Sequence, residues 1–142
     1  MTSTENLAVV HRLLDAMVTG NMADLAQVVA PNWTNHDPNL PPMQGLEGAK
    51  QLVNIWRTAF PDIKFTIEDS ISEGDKVAVR FRFVGKNTGA FMDMPATGKS
   101  ATGTGTGIFR VANGKITDNW VNFDALGLMQ QLGFVPIPER GG

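Results

Sequence analysis

The spacing of apolar residues changes once along this chain, and that change restricts its fold more than any other feature. Up to Phe60, apolar residues recur at steps of three and four; from Ile63 onward they alternate with polar ones. The first spacing is the stripe of a helix, the second the two faces of a strand. Leu7, Val10, Leu14 and Met17 form the first stripe, opened by Thr2-Ser3-Thr4-Glu5 in capping-box form and closed by Gly20. Asn21 and Asp24 start a shorter helix through Leu25, Val28 and Val29 that stops near Pro31. A third helix is expected from Leu46 to Phe60, with Leu46, Ala49, Val53, Trp56 and Phe60 on one side and Pro61 as its stop. Between them, Trp33 to His36 reads as a short strand followed by the turn-rich stretch Asp37-Pro38-Asn39-Leu40-Pro41-Pro42.

After Phe60 the chain reads as sheet. Ile63, Phe65 and Ile67 alternate with polar partners, and Ser72-Glu73-Gly74-Asp75 is a turn. Val77, Val79, Phe81 and Phe83 alternate with Ala78, Arg80, Arg82 and Val84, a strand with one wet face. Lys86 to Lys99 is a loop whose tips include Met92 and Met94. The run Thr102-Gly103-Thr104-Gly105-Thr106-Gly107-Ile108 is low in complexity, but its period of two keeps it a strand. Three glycines on one face mark a bend or a close approach. A last strand, Lys115 to Asp124, follows Ala112-Asn113-Gly114 and leads into a helix from Ala125 to Leu132. Helices first and hairpin-linked strands later give an α+β fold over residues 1–142, one domain with helices on one side of a curved antiparallel sheet.

Composition narrows the function. A chain of 142 residues can bury roughly 70% of its unfolded surface. A net charge of −2, with basic residues scattered, offers nucleic acid no footprint. There is no apolar run of membrane-spanning length, so no membrane partner is expected. The polar start lacks the pattern of a secretion signal, which makes a cytoplasmic location the expectation. The absence of cysteine removes thiolate chemistry, and the absence of tyrosine removes a phenolic acid. With only His11 and His36, and His11 off its helix stripe, no zinc-like spacing occurs and no metal is expected.

The candidate site lies on the last strand. Trp120, Asn122 and Asp124 are two apart and would share a face carrying an aromatic wall, an amide and a carboxylate. Which face of the Thr/Gly strand meets them depends on the turn. A two-residue Asn113-Gly114 turn would pair Gly103 with Asp124 and Gly105 with Asn122. A three-residue turn with Gly114 as a bulge would pair Thr102 with Asp124 and Thr104 with Asn122. The second is preferred because it leaves hydroxyls in the polar pocket.

These segments resemble the SnoaL-like polyketide cyclases, within the nuclear transport factor-like fold. The likeness rests on Trp33-Thr34-Asn35-His36-Asp37-Pro38, Gly45-Leu46-Glu47-Gly48, Ala59-Phe60-Pro61-Asp62 and Glu73 to Arg80. It continues through Pro95-Ala96-Thr97-Gly98, Asn113-Gly114-Lys115-Ile116 and, most strongly, Trp120 to Gly133. The resemblance implies a cone-shaped sheet with an internal pocket and ring closure of a polyketide ester by intramolecular aldol condensation. It also implies an aspartate general acid/base matching Asp124, a pocket position matching Leu14, and no cofactor. One carboxyl can act as base for the carbon acid and as acid for the alkoxide. Asp124 could instead cap the helix that follows it, or hold a ligand without turnover.

His36 is the second catalytic candidate, able to hydrogen-bond Asp124 or the substrate. Met17, Trp56, Phe60, Phe81, Met92 and Thr102 join Leu14, Trp120 and Asn122 as candidate substrate-binding residues. The expected partners are a small apolar or aromatic substrate and a second copy of the chain, in a homodimer or higher homo-oligomer joined by sheet faces. Other enzymes of this fold that need tyrosine, or an Asp-Arg-Asp set, find neither here. The rival readings are a non-catalytic module for a small hydrophobic ligand and a hydroxylase-associated member of the same family.

Overall fold

The structure, a computed structural model, describes residues 2–138. Helix α1 (Ser3–Thr19) begins where the Thr2 hydroxyl accepts the Glu5 N–H at 3.1 Å. It ends where Gly20 takes a left-handed conformation (φ 72°) that carries little penalty for glycine. Asn21 caps α2 (Met22–Val28) by accepting the N–H groups of Ala23 and Asp24. Strand β1 (Val29–His36) starts earlier than expected. Its ladder is irregular between Val29 and Thr34, around Pro31, a residue with no N–H to donate. A two-residue strand, β2 (Met43–Gln44), forms just after the turn-rich stretch and leads into α3 (Gly45–Ala59).

Four long strands follow: β3 (Lys64–Glu73), β4 (Lys76–Lys86), β5 (Ser100–Ala112) and β6 (Lys115–Phe123); α4 (Ala125–Leu132) comes last. The strands form one open six-stranded sheet in the order β2-β1-β6-β5-β4-β3. Successive strands from β3 to β6 pair antiparallel, as their hairpin connections require. The departure from the expected antiparallel sheet is β1, which runs parallel to β6. No hairpin joins those two, so nothing local dictates their direction.

The core lies between the helices and one face of the sheet, around Trp56 of α3. Its ring meets those of Phe83, Phe91 and Phe123 at centroid distances of 5.1–5.2 Å, and Phe60 at 6.3 Å. Edge and tilted contacts of this kind are favourable beyond the area they bury. The 87–99 loop is held down by the buried Asn87. Its amide nitrogen donates to the Ala59 and Gly89 carbonyls, while its oxygen accepts from Thr97. Phe91 is thereby seated on Trp56. Among the described residues no helix is long and apolar enough to cross a membrane.

The β5–β6 hairpin decides which side chains enter the core. Its turn has two residues, with Ala112 opposite Lys115 and positive φ at both Asn113 (53°) and Gly114 (77°). That is the turn type whose twist suits adjacent strands. Val111 pairs with Ile116 but Arg110 pairs with Asp118, which leaves Thr117 as an extra residue in β6. This bulge moves every later residue of β6 to the other face. Neither expected register forms: Gly105 lies opposite Phe123 and Thr106 opposite Asn122.

Candidate active site

With Thr117 bulged, Asn119, Val121 and Phe123 face inward, and Asp118, Trp120 and Asn122 face outward. The glycines of β5 explain why the inner face is aromatic. A Cβ on Gly103 would lie 2.1 Å from the Phe83 ring, and one on Gly105 would lie 2.5 Å from that of Phe81. These rings, from cross-strand partners on β4, rest directly on backbone that lacks side chains. The close approach read from the Thr/Gly run is thus a floor for phenylalanines.

Above this floor is a cavity lined by Leu13, Leu14 and Met17 of α1, Leu52 and Trp56 of α3, and Phe65, Phe81, Phe83, Phe109, Val121 and Phe123 of the sheet. It offers about 50 Å³ of water-accessible space, room for a few water molecules. Among the described residues, the polar side chains that line it are those of Asn35, Asp37 and Asn119. The alternation of β1 places Trp33 and Asn35 inward, and Asp37 follows at the same spacing. Asn35 stands beside Asn119 in the parallel β1–β6 ladder. The Trp33 indole N–H donates to Asn119 Oδ1 at 3.1 Å, wholly within the core.

Asp37 is half-buried. Burial pushes its carboxyl above the ordinary carboxylate value, outweighing the Asn39 backbone N–H (2.9 Å from Oδ1) and the Asn39 side chain, which pull the other way. Among the described residues no lysine, arginine or histidine lines the cavity to offset that burial. A carboxyl of this kind, in an aromatic pocket beside two amides, can exchange protons with a bound carbon acid.

The sequence-derived candidates divide between two sides of the sheet. Leu14, Met17, Trp56 and Phe81 line the cavity as expected. Phe60 is fully buried behind Trp56 and Phe83 and packs the core without reaching the cavity wall. Met92 is 42% exposed, in a shallow groove with Glu47 and Lys50 on the outside of α3. Thr102 faces outward, its backbone joined to Gln131 of α4 by two hydrogen bonds of 2.8 Å.

Trp120 and Asn122 are exposed on the outer face, carried there by the Thr117 bulge. Asp124 is exposed as well, and its carboxylate accepts the Gly127 N–H at 2.8 Å as the cap of α4. It borders an outer groove with Arg80, Arg82, Thr104 and Thr106, not the cavity. His36 also faces out. It stacks on Trp120 (5.0 Å, 8°), with Nε2 3.0 Å from Asp118 Oδ1, and so reaches neither Asp124 nor the cavity. Burial pushes Asp118 up, but hydrogen bonds from His36 and Thr117, with the charges of His36 and Arg110, outweigh it and hold the carboxyl below its ordinary value. Among the described residues no group of three or more His, Cys, Asp or Glu side chains is placed to hold a metal ion.

Comparison with known proteins bears on the same residues. The family model for SnoaL-like polyketide cyclase matches residues 8–132, which include most of α1 and all of β1 and β6. The chain belongs to the SnoaL-like polyketide cyclases. Within that family it is similar to the aklanonic acid methyl ester cyclase DauD of Streptomyces sp. (strain C5), 31% identical over 92% of this chain and 83% of that protein. DnrD of Streptomyces peucetius, another aklanonic acid methyl ester cyclase, is also 31% identical, over 92% of each chain. Among solved structures, TsrD from Streptomyces laurentii superposes with a TM-score of 0.85 at 27% identity, covering 95% of this chain and 99% of that one.

The inner polar residues of this SnoaL-like chain were not singled out from sequence as site residues. Their signal was present in Trp33-Thr34-Asn35-His36-Asp37, where two residues of opposite chemistry, His36 and Asp37, sit on opposite faces. Choosing Asp37 required knowing which face was inside.

Proposed function

We propose that the protein is a cofactor-independent cyclase that closes a ring in a small aromatic polyketide ester, with Asp37 as general acid/base. The observation carrying this reading is a half-buried carboxyl, raised by burial, that lines a largely aromatic and aliphatic cavity with two asparagines. Membership of the SnoaL-like family, and similarity to two methyl ester cyclases, support the substrate class. Among the described residues the wall carries no cation, which favours an uncharged ester over a free carboxylate that would be fully charged in the ground state.

In the reaction, the Asp37 carboxylate takes a proton from the carbon between two carbonyls. The C–H electron pair becomes an enolate, whose carbon attacks a ketone carbon of the same molecule. One C–C bond forms, the ketone oxygen receives the proton from Asp37, and the product is an isomer of the substrate. The largely apolar cavity leaves room for only a few water molecules, which favours carbon attack over hydrolysis. We further propose that the outer sheet face, where Ile108 (41% exposed) and Trp120 (39% exposed) are cross-strand partners, joins a second copy.

Incubation of the purified protein with aklanonic acid methyl ester, followed by liquid chromatography and mass spectrometry, tests the activity. A new peak of unchanged mass with one more ring is expected, with no additive required. A molecule that binds and returns unaltered would make the protein a binding module instead.

A further inference from the structure

We infer that Asn35 and Asn119 form a donor pair that holds the substrate's enolate oxygen during ring closure. Asn35 is 8% exposed and Asn119 2% exposed, and the two are neighbours across the β1–β6 ladder on the cavity side. The Nδ2 of Asn35 is enclosed and has no hydrogen-bond partner among the described residues of the protein. Asn119 is oriented by Trp33: an indole N–H can only donate, so the carboxamide oxygen must face it. The amide nitrogen of Asn119 is then the end left to donate elsewhere.

A buried amide nitrogen without an acceptor destabilises a folded chain, because it has lost water and gained nothing. Asn35 therefore contributes to this cavity only when something entering it brings an acceptor. Among the described residues the cavity wall supplies no cation, and the donor side chains an incoming oxygen can meet there are the carboxamides of Asn35 and Asn119 and the Trp56 indole N–H. Fixed donors in a dry site stabilise an oxygen more strongly as its charge grows. This inference rests on the reading of Asp37 as the base: as Asp37 removes the proton, the electron pair moves toward the carbonyl oxygen held by the pair. Asp37 manages the proton, and the asparagines stabilise the charge.

The test uses the intact protein and 2-naphthol, a planar aromatic whose neutral and ionised forms are distinguished by absorbance. With a donor pair present, wild type should bind the naphtholate and lower the ionisation pKa of the bound molecule relative to water. Asn35→Leu, close in volume but without a donor, should weaken naphtholate binding at least tenfold. Its melting temperature should rise, because an orphaned amide has been removed. Asn35→Ala, which opens space instead of filling it, should lose the same preference and so excludes simple blockage by leucine. Turnover of the ester should fall by about a hundred- to a thousand-fold in Asn35→Leu, the usual share of one such donor.

Asp37→Asn should bind naphtholate more tightly than wild type, since a like charge has gone. If Asp37→Asn keeps full turnover while the Asn35 variants lose naphtholate, the base has been misassigned and the donor pair stands. If both Asn35 variants bind naphtholate as wild type does, or wild type takes up only neutral naphthol, the donor pair is overturned.

Discussion

The two faces of the β5–β6 hairpin carry opposite kinds of polar residue. Outward, Asp118, Trp120, Asn122 and Asp124 are solvated, and two of their partners are known: His36 on Asp118, and the α4 N-terminus on Asp124. Inward, Asn119 lies among phenylalanines with Asn35 and Asp37 beside it. The outer groups are satisfied and contribute to stability. The inner ones include an unpaired amide and a carboxyl disfavoured in its charged form, and they weaken the fold. A polar group kept where it destabilises points to chemistry more strongly than one kept where it caps a helix.

The largest structural break in this comparison should come from the floor. In Gly103→Ala the new methyl would lie 2.1 Å from the Phe83 ring. That ring is packed against Trp56, Phe60 and Phe65 and could shift only toward the cavity it lines. Overpacking of this kind should lower stability by about 1–3 kcal/mol, read by urea denaturation. Thr104→Ala, on the outer face of the same strand, should change it little.

A smaller effect is expected at the helix cap. Asp124→Ala should cost about 1 kcal/mol through loss of the Gly127 contact, while Asp124→Asn should stay near wild type because Asn caps comparably. Thermal unfolding of the two variants measures the difference. Equal loss in both would mean that Asp124 acts through its charge.

Smallest is the effect of Asp37→Asn on stability, and its sign is the informative part. A carboxyl whose folded-state pKa is raised binds its proton more tightly folded than unfolded, so it weakens the fold as pH rises through that window. Asp37→Asn should therefore melt slightly higher than wild type at neutral pH. The gain should vanish as the pH falls below the ordinary carboxylate value, where both chains are uncharged at this position. Melting curves between pH 3 and 7 test this, and a gain independent of pH would contradict it. Asp118, held below its ordinary value, contributes in the opposite sense, and its share is lost only at more acid pH.

Much of the fold was legible in the residues. Thr2, Gly20, Asn21 and the Thr/Gly alternation each specify a local geometry, and each adopts it. Leu14, Met17, Trp56 and Phe81 were legible as cavity wall because helix stripes and regular strands keep their phase. The polar site was not, for one physical reason. An unpaired Thr117 reverses the faces of β6, and nothing in Lys115-Ile116-Thr117-Asp118 marks it. Trp120-Val121-Asn122-Phe123-Asp124 alternates equally well in either phase, so a one-residue slip exchanges Asp124 for Phe123 at the cavity. Seating Asp37 inward depends on the parallel β1–β6 pairing, a contact between distant segments that local spacing does not encode.

The central claim is that the chemistry belongs to the inner face, and paired turnover measurements on Asp37→Asn and Asp124→Asn address it most directly. Both changes keep the side chain's size and its ability to accept a backbone hydrogen bond, and each removes one ionisable proton. With aklanonic acid methyl ester as substrate, and rates taken per folded molecule, Asp37→Asn should fall by about a hundred- to ten-thousand-fold, the usual share of a general acid/base. Asp124→Asn should remain close to wild type. The reverse result, with Asp124→Asn inactive and Asp37→Asn unimpaired, would place the chemistry on the outer face and contradict the account.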